Sequence, residues 1–508
     1  MILPRDPREV FREYTDQETF NRIIERDSFS EMWLAALNEF KDLVAIEDNG
    51  EKYTYAKIEE DASLLRGAFK DIGLVKGDRI GLYAKNSYDL VKMIVASLSY
   101  GLCAAILPAH LDDKTIFGVS MKFSLKAMMY TPDLEEKMGV AKHMNPNLKF
   151  LTSDCKGNPV PVNTDMKRSD PAVIMFTGGT TGRSKGALLS NGALMQGTVN
   201  GCYGTKSVFN ERYVLVLPLS HVFGLIRNLL TSLYTGSTMF ICRNNKDMFR
   251  DCAIFKPTTL VMVPALAEMS LNLSKQFHKN MLGDDLKVII CGAAKVPPYL
   301  VKEYDKIGIQ LLGGYGLTES ANLVCGNPES LANPDSIGYP YPHQDFKIVN
   351  GELWIKGENM LDCYVGEEGA NEAAFEDGWF KTGDLVRFDE NGYLYMTGRC
   401  KEVIVLSNGE NVSPAEVEDH FNKLNIVQDS QVFEDVDEAG NHFLALEVVP
   451  RMVELAKVEV EDKNKYLIEE LQKVNMTLLP FQRVSRIEIR DKDFERTPAM
   501  KIVRYHKC

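Results

Sequence analysis

The amino-acid sequence predicts an α/β protein with a large N-terminal domain of doubly wound mixed sheets plus a β-rich subdomain, followed by a small α+β C-terminal domain. Up to about residue 330, short apolar runs alternate with segments of helical spacing. From Ile337 to Arg399 the pattern changes to short strands joined by tight turns, and a smaller unit begins after Lys401. The 508 residues suffice for several domains or subdomains, with a core large enough to contain a deep site.

The alternation is clearest near the N-terminus. A strand at Arg79–Ala84 is followed by an apolar helix at Ser87–Tyr100 and a second strand at Ala104–Leu107. A strand–helix–strand unit of this length predicts a parallel sheet covered by helices on both faces. Later apolar runs predict further strands buried on both faces: Ala172–Phe176, Tyr213–Leu217, Thr259–Val263 and Leu286–Ile290.

Turn and helix-start signals mark the second half. Asn350-Gly351 lies between two apolar runs and predicts a tight hairpin, and Asn391-Gly392 repeats the signal. Ser413–Glu416 has the spacing of a capping box, with Pro414 at the first helical position.

Charge and cysteine usage exclude several classes of protein. The net charge of −13, with basic and acidic residues interspersed, argues against a nucleic-acid partner. Ten cysteines without a Cys-x-x-Cys pair, and eight histidines without ligand spacing, favour free thiols over a zinc site. No signal peptide and no run of about 18 apolar residues is present, so we expect a cytoplasmic protein without a membrane span.

The segment Phe176–Gly186 has the composition of a phosphate-binding loop. Glycines let backbone N–H groups approach an anion, threonines add hydroxyl donors, and Lys185 adds a positive charge. It differs from a Walker A loop, because two residues separate Gly182 from Lys185 and Gly186 replaces the usual Ser or Thr. We expect a helix after the loop, with Ser190 or Asn191 as its N-cap. A simple glycine-rich turn is the alternative.

The motifs that follow this loop are similar to those of the adenylate-forming superfamily, which contains acyl-CoA synthetases, peptide-synthetase adenylation domains and beetle luciferases. The main motifs, in order, are Gly314–Glu319, Phe380–Asp384, Gly398–Lys401 and Arg496–Lys501. Weaker matches are Lys76–Ile80, Leu217–His221, Gly351–Gly357 and Asn408–Glu418. The resemblance covers the chain from about residue 30 to the C-terminus, and it is closest to fatty-acyl-CoA synthetases.

The resemblance implies an ATP site in the N-terminal domain. The phosphates would be held by Thr177, Gly178, Gly179, Thr180, Thr181, Gly182 and Lys185. Adenine would be bound by Gly314, Tyr315 and Gly316 on one side and by Gly292, Ala293 and Ala294 on the other. Thr318 would contact a phosphate, and Glu319 would hold Mg²⁺, which favours carboxylate and phosphate oxygens.

The resemblance also implies a mobile C-terminal domain, residues 399–508, that pivots on an N-terminal domain, residues 1–398, near Lys401. Asp384 would accept the ribose hydroxyls, Arg399 would reach the ribose or the α-phosphate, and Lys501 would promote adenylation. His221 would lie near the substrate carboxylate. Each role has a structural alternative: a core tyrosine at Tyr315, a helix-start glutamate at Glu319, a turn aspartate at Asp384, a solvated tail lysine at Lys501 and a structural histidine at His221.

Two positions depart from the family pattern. Met500 replaces the glycine that usually precedes the C-terminal lysine, and Ser184 replaces the proline that usually precedes the loop lysine. Loss of that proline frees a backbone N–H and loosens the turn.

The resemblance implies an acid–thiol ligase that uses ATP, Mg²⁺ and CoA. The segment His221–Arg227 lacks the aspartate with which amino-acid-activating relatives hold an α-amino group. With Val263–Ala265 and Gly313-Gly314, it predicts a pocket for a fatty or aryl carboxylic acid. CoA is the expected acceptor, because no carrier domain is attached. Two alternatives stay open: loading of a separate carrier protein, and a non-catalytic nucleotide-binding relative.

Overall fold

A computed structural model describes residues 3–177, 185–405, 411–437, 442–496 and 502–504. The chain divides into two compact units. The first comprises Met1–Asp345, Lys356–Trp379 and Glu390–Leu394, and the second comprises Phe346–Ile355, Phe380–Asp389 and Tyr395–Cys508.

The helices and strands alternate along most of the chain. Up to residue 200 they are α1 (Pro7–Arg12), α2 (Gln17–Arg22), α3 (Phe29–Phe40), β1 (Val44–Asp48), β2 (Glu51–Thr54), α4 (Tyr55–Asp71), β3 (Arg79–Tyr83), α5 (Tyr88–Tyr100), β4 (Cys103–Leu107), α6 (Asp113–Lys122), β5 (Ala127–Tyr130), α7 (Gly139–Met144), β6 (Lys149–Thr152), β7 (Pro171–Thr177), β8 (Lys185–Ser190) and α8 (Asn191–Asn200). Up to residue 340 they continue with β9 (Arg212–Leu215), a π-helix (Phe223–Leu230), α9 (Thr231–Tyr234), β10 (Thr238–Ile241), α10 (Met248–Phe255), β11 (Thr259–Met262), α11 (Pro264–Phe277), β12 (Val288–Cys291), α12 (Pro298–Asp305), β13 (Gln310–Tyr315), β14 (Cys325–Asn327) and β15 (Tyr339–Pro340).

The remaining elements are mainly strands. They are β16 (Gln344–Val349), β17 (Glu352–Gly357), β18 (Cys363–Val365), α13 (Ala370–Ala374), β19 (Phe375–Glu376), β20 (Trp379–Phe388), β21 (Leu394–Arg399), β22 (Ile404–Val405), β23 (Asn411–Val412), α14 (Pro414–Asn422), β24 (Val427–Val436), β25 (His442–Pro450), α15 (Met452–Ala456), α16 (Lys463–Thr477) and β26 (Arg486–Ile489). Short 3-10 turns occur at Pro132–Met138, Asn245–Asp247, Thr318–Ser320, Cys400–Glu402 and Pro480–Gln482.

Two mixed sheets organise the described part of the first unit. One has the strand order β15-β14-β13-β12-β11-β9-β10-β1-β2, and the other has the order β18-β8-β7-β4-β3-β5-β6. Their central strands run parallel, whereas antiparallel strands lie at both ends of the first sheet and at the β18-β8 end of the second. The predicted fold class of doubly wound mixed sheets is confirmed.

Local sequence explains the predicted strand–helix–strand unit. Ser87 caps α5 by accepting the Leu90 N–H, and Gly101 ends the helix with a left-handed φ of 95°. Both flanking strands, β3 and β4, are almost wholly buried because helices cover both faces of the sheet.

The segment after the glycine-rich loop contains a strand that the sequence analysis missed. Strand β8 runs from Lys185 to Ser190 antiparallel to β7, so the loop joins two adjacent strands. The predicted helix begins only after β8, where the Ser190 side chain accepts the Ala193 N–H as the N-cap. Of the two predicted N-cap candidates, Ser190 is confirmed.

Among its described residues, the second unit contains a short antiparallel pair, β22-β23, and two larger groups of strands. Strand β17 pairs with both β16 and β20, and β21 also pairs with β20. The second group has the order β24-β25-β26, and its apolar core includes residues from α14 and α16: Val417, Phe421, Leu467 and Leu471.

The two hairpins differ in their turns. Asn350 and Gly351 have φ values of 51° and 84°, as the predicted two-residue turn requires. Five residues separate β20 from β21, and of the pair Asn391-Gly392 only Gly392 is left-handed, with φ of 87°. The second hairpin therefore forms with a longer loop than the repeated signal predicts.

The capping-box prediction at Ser413 is wrong in its hydrogen bond. Ser413 is the N-cap of α14 and Pro414 opens the helix, but the Ser413 side chain accepts no capping N–H. Its hydroxyl donates instead to the backbone carbonyl of Thr397, at 2.6 Å, because the end of β21 lies beside the helix start.

Among the helices of the described residues, none has both the length and the apolar character needed to cross a membrane.

A buried ion pair stabilises the helical layer of the first unit. The Arg66 side chain on α4 is fully buried and pairs with Glu59. It also donates to the Ser99 hydroxyl on α5, at 2.8 Å, and to the Val160 carbonyl, at 2.7 Å. Trp33 on α3 donates to the same Glu59 carboxylate, at 2.8 Å. The Arg66–Glu59 pair thus links three helices and a long connecting segment.

We expect Arg66→Ala to lower the free energy of unfolding by about 3 kcal/mol, because it leaves the Glu59 carboxylate without its cation. Urea unfolding measures the change. The control, Lys57→Ala, removes an exposed pair with Glu60 and Asp61 and should change stability by at most about 1 kcal/mol. Equal unfolding midpoints for Arg66→Ala and the wild type would contradict this assignment.

Candidate active site

The stems of the glycine-rich loop lie directly opposite each other. Thr177 ends β7 and Lys185 begins β8, and the two residues are partners in the antiparallel register. Gly178, Gly179, Thr180, Thr181 and Gly182 lie outside the described residues, as does Ser184. The pairing fixes both ends of the loop at the carboxyl end of a parallel-sheet strand, where ligands of such sheets bind.

Lys185, Tyr364 and Glu319 form a connected polar group beside the loop stem. Strand β18 pairs with β8 and places Tyr364 opposite Ala187, so that the tyrosine is a diagonal neighbour of Lys185. The Lys185 Nζ lies 4.6 Å from the centre of the Tyr364 ring. The Tyr364 hydroxyl donates to Glu319 Oε1, at 2.7 Å.

The electrostatics of this group keep the tyrosine neutral. Burial raises the pKa of Tyr364 well above its usual value, and the charge of Glu319 raises it further. The hydroxyl therefore remains a donor that orients the carboxylate.

Glu319 is held in a rigid turn. The 3-10 turn Thr318–Ser320 is fixed by the Ser320 hydroxyl, which accepts the Leu317 N–H at 3.0 Å. The Glu319 carbonyl accepts the Leu361 N–H at 2.7 Å. Because this turn has only three residues, the alternative of a helix-start glutamate stabilised by a macrodipole has little support.

Gly316 is required by close packing of the turn. A Cβ added to Gly316 would lie 1.2 Å from the carbonyl oxygen of Asn322, so no other residue fits without moving the backbone. This contact positions the segment between Tyr315, at the end of β13, and Thr318.

The two glycine segments predicted to bind adenine are adjacent. Strands β12 and β13 run parallel, so Gly292–Ala294 and Gly314–Tyr315 both lie at their carboxyl ends. A Cβ on Gly292 would lie 3.7 Å from the Gly314 carbonyl oxygen and 3.4 Å from the Phe223 ring. Ala293 is left-handed, with φ of 67°, which turns the chain sharply after the strand.

His221 lies two residues before the π-helix and is partly exposed. Its Nδ1 accepts the Phe223 N–H at 3.3 Å, which fixes the ring and, for a neutral imidazole, leaves the proton on Nε2. The same helix carries Phe223 to Gly292, so His221 is connected by one short segment to the predicted adenine wall.

In the second unit, Asp384 lies in a β-bulge of β20. Glu352 pairs with Leu385 and Trp354 pairs with Lys381, so the partner strand has fewer residues than Lys381–Leu385. Bulges redirect side chains and occur next to active sites. The Thr382 hydroxyl accepts the Asp384 N–H at 3.0 Å. The segment is therefore not the turn assumed in the structural alternative.

Asp384 and Arg399 come together from adjacent strands. The Asp384 side chain is buried, and Arg399 Nε lies 3.0 Å from its Oδ1. Glu352 supports the bulge by accepting the Gly383 N–H at 2.8 Å. This pair offers a carboxylate acceptor and a cation within one small region of the second unit.

Lys401 is exposed in the 3-10 turn Cys400–Glu402, whereas Lys501 and Met500 lie outside the described residues. The chain on both sides of Lys501 is anchored. Arg496 forms a bridge with Ile502 and pairs with Asp429, at 2.5 Å.

Arg504 provides the second anchor. Its two terminal nitrogens donate to the two oxygens of the buried Glu418, each at 2.7 Å, and its Nε lies 3.0 Å from Glu402. Bidentate pairs of this kind are strong and directional. The residues just after Lys501 are therefore fixed to α14 and to the turn that carries Lys401.

The sequence analysis assigned no individual role to Tyr364, Phe223 or Arg227. Tyr364 had no motif of its own, and only its position after an apolar segment could have indicated a strand. Phe223 and Arg227 belong to the predicted pocket segment after His221, but the sequence did not indicate that both side chains are buried. Arg227 is 2% exposed, so the segment predicted to line an apolar pocket contains a buried charged side chain.

Comparison with known proteins gives two family matches. The model of the AMP-binding enzyme family matches residues 34–365, and the model of the AMP-binding enzyme C-terminal domain matches residues 401–507.

Curated relatives and solved structures agree with these matches. An indoleacetate–CoA ligase from Aromatoleum aromaticum is 32% identical over 309 residues, which are 58% of this chain and 60% of that enzyme. A long-chain-fatty-acid–CoA ligase from Yersinia pestis is 28% identical over 454 residues, 77% of this chain and 80% of that enzyme.

The fold is shared with an o-succinylbenzoate CoA synthetase from Bacillus subtilis bound to its acyl adenylate. That comparison has a TM-score of 0.77 and 22% identity, and it covers 93% of this chain and 96% of the other. An anthranilate CoA ligase bound to anthranoyl-AMP gives a TM-score of 0.81 at 17% identity, over 94% and 95% of the chains. With family matches over most of its length, the chain belongs to the AMP-binding enzyme family and is an ATP-dependent, AMP-forming acid–CoA ligase.

Proposed function

We propose that this ligase activates a fatty or aryl carboxylic acid and that the group Lys185–Tyr364–Glu319 organises the ATP phosphates for that reaction. The carboxylate oxygen of the acid attacks the α-phosphorus of ATP, and the bond to pyrophosphate breaks. The thiol of CoA then attacks the acyl carbon, and AMP leaves. The contact of Tyr364 with both Lys185 and Glu319, beside the loop stem, is the observation that carries the assignment.

The residues beside the loop suit a magnesium nucleotide. Glu319 offers a hard carboxylate oxygen, and magnesium is commonly held by one or two carboxylates together with phosphate oxygens. When bound, the ion would neutralise charge on the departing pyrophosphate. Lys185 would pair with a phosphate, and Tyr364 would keep the Glu319 carboxylate oriented. Thr177 and Thr318, with Gly178–Gly182, would donate to phosphate oxygens.

Adenine and ribose would be bound by separate groups of residues. Tyr315 would stack on adenine, with Gly314, Gly316 and Gly292–Ala294 around it, because glycine and alanine leave space for a flat ring. Asp384 would accept the ribose hydroxyls, and Arg399 would orient that carboxylate and reach the ribose or α-phosphate.

Lys501 would stabilise the charge that develops on the α-phosphate during adenylation. The anchors at Arg496 and Arg504 support this role, since they restrict the chain on both sides of the lysine. His221 would lie close to the acid's carboxylate, with its ring fixed by the Phe223 N–H.

The acid and the acceptor follow from the pocket segments and the relatives. The segment after His221 contains no aspartate for an α-amino group, and the similar enzymes include ligases named for indoleacetate and for long-chain fatty acids. CoA is the acceptor. Loading of a separate carrier protein is the alternative acceptor reaction, which uses the same adenylate.

We also propose a domain boundary and a compartment. We place the boundary between residues 398 and 399, with the hinge near Lys401, on the turn Cys400–Glu402. The nine described cysteines are all free thiols, which fits a reducing compartment such as the cytoplasm.

We expect the protein to exchange pyrophosphate into ATP with fatty or aryl acids and not with amino acids, and to form a CoA thioester with the same acids. Radiolabelled pyrophosphate exchange over an acid panel, followed by thioester detection with CoA, measures both steps. If no acid supports exchange, the proposed function is wrong. If exchange occurs but the thioester forms only with a carrier protein, the assignment of CoA as the acceptor is wrong.

Tyr364→Phe should raise the Mg²⁺ concentration that gives half-maximal exchange by about tenfold, because the charge-assisted bond to Glu319 is lost. Titration of exchange activity with Mg²⁺ measures the shift. The matched control is Tyr304→Phe, which loses a buried bond to the Ala267 carbonyl, at 2.7 Å, on another part of the first unit. That control should lower stability by about 1 kcal/mol without altering the Mg²⁺ dependence. An unchanged Mg²⁺ dependence in Tyr364→Phe would remove the tyrosine from the proposed site.

Lys501→Ala should slow adenylation by about a hundredfold or more, because it removes a cation aimed at developing charge. Thioester formation from supplied acyl adenylate should change far less. Single-turnover measurements separate the two half-reactions, and the exposed Lys492→Ala is the control. Equal slowing of both halves by Lys501→Ala would contradict its role in adenylation.

A further inference from the structure

The π-helix Phe223–Leu230 packs closely against α8. A Cβ on Gly197 of α8 would lie 2.5 Å from the Ala321 carbonyl oxygen and 3.2 Å from the Ile226 side chain. A Cβ on Gly201 would lie 2.4 Å from the Thr231 hydroxyl and 3.2 Å from Cδ of Arg227. The two glycines thus bring the side chains of both elements together in the interior of the first unit. π-helical turns occur frequently at functional sites.

Among the described residues, Arg227 is a buried cation without a counterion. Only 2% of the residue is exposed, and Nη1 has no hydrogen-bond partner. Within the described ranges, no carboxylate forms an ion pair with it. Buried charges are normally paired, because removing a charge from water is strongly unfavourable unless an opposite charge replaces the water. The fully buried Arg66 of the same unit follows that rule through Glu59.

Several neutral polar groups on the same two elements are also unpartnered. Asn228, next to Arg227, is fully buried, and neither its Oδ1 nor its Nδ2 has a hydrogen-bond partner in the described part of the chain. On α8 the same holds for Gln196 Oε1 and Asn200 Nδ2, although these two residues bond to each other through their other amide atoms, at 3.1 Å. Buried polar atoms are nearly always bonded to protein, water or ligand. Water would satisfy the amides, but it would not supply the negative charge that Arg227 lacks.

This polar cluster, Arg227, Asn228, Gln196 and Asn200, adjoins the residues assigned to adenylation. Phe223 and Asn228 are five residues apart and share one face of the π-helix. Phe223 lies against Gly292 at one end of that helix. The carbonyl at Gly197 belongs to Ala321, two residues after Glu319. The buried apolar side chains of Phe223, Leu225 and Ile226 lie between His221 and Arg227 along the chain.

We propose that the acid substrate carries a second carboxylate, at the end remote from the carboxyl group that is adenylated, and that Arg227 binds it. A guanidinium pairs with a carboxylate through two parallel N–H donors, and the Asn228 amide adds a further donor. The substrate is therefore a dicarboxylic acid whose two acidic ends are separated by an apolar aliphatic or aryl part. This inference rests on the proposed function, since it names the substrate class of the same site.

The test compares matched acids that differ only in the second carboxylate: octanoate with octanedioate, and cinnamate with its para-carboxy derivative. The kcat/KM for pyrophosphate exchange is measured for each acid. We expect the wild type to prefer the diacid of at least one pair by about tenfold or more. The uncharged remote end of a monoacid would leave the buried charge of Arg227 unpaired. Arg227→Met should lower kcat/KM for the diacid by about a hundredfold while leaving the monoacid unchanged or improved. Arg227→Lys should restore part of the preference.

The control is Arg212→Met, which removes an arginine at the start of β9 that pairs with Asp285 at the surface, at 2.5 Å. It should leave the preference unchanged. Wild-type exchange with monoacids and no preference for either diacid would overturn the inference while the proposed function stands. A loss on both acids by the same factor in Arg227→Met would also overturn it, since that is the result for a cation that only stabilises the fold. Absence of exchange with every acid would instead refute the proposed function. The wild-type comparison remains decisive even if Arg227→Met does not fold.

Discussion

The antiparallel pairing of β7, β8 and β18 at the end of a parallel sheet is the constraint on which the phosphate side of the site depends. Parallel strands alone would leave the glycine-rich loop joined to a helix. Because β8 returns beside β7, both stems of the loop are fixed at one level, with Thr177 opposite Lys185. Strand β18 then pairs with β8 and delivers Tyr364 to the lysine. The tyrosine extends this arrangement to Glu319, which lies in the turn between β13 and β14 of the other mixed sheet.

Two buried arginines of the first unit show how the same residue type serves stability and recognition. Arg66 has a carboxylate, a hydroxyl and a carbonyl as partners, so its burial is compensated within the protein. Arg227 has no carboxylate among the described residues, and neighbouring amides lack partners as well. An uncompensated buried charge is costly, and in the inference above the second carboxylate of the substrate supplies the missing charge. The two arginines differ in their partners and not in their burial, because both side chains are almost fully removed from water.

In the second unit, ion pairs hold the elements that carry the functional residues. Arg399 pairs with Asp384 across adjacent strands, and the bulge at Thr382–Asp384 turns the carboxylate toward it. Arg504 clamps the end of the chain to Glu418 and Glu402. Burial raises the pKa of Glu418, and the positive charge of Arg504 opposes that rise. The guanidinium therefore favours the ionised form of the buried carboxylate. The segment before and after Lys501 is thereby attached to the turn that contains Lys401.

The sequence by itself determined the fold class, the family and the main motifs, because these depend on local signals. Apolar runs predicted β3, β4 and β7, the Asn350-Gly351 pair predicted a tight hairpin, and Ser190 was one of two N-cap candidates. Only the tertiary structure decided which distant residues meet. Tyr364 lies between Lys185 and Glu319. The Ser413 hydroxyl donates to the Thr397 carbonyl and does not cap its helix. Arg227 is buried next to amides that lack partners among the described residues. These outcomes depend on contacts between segments far apart in the chain, where burial and the available partners, rather than local spacing, fix what a polar side chain binds.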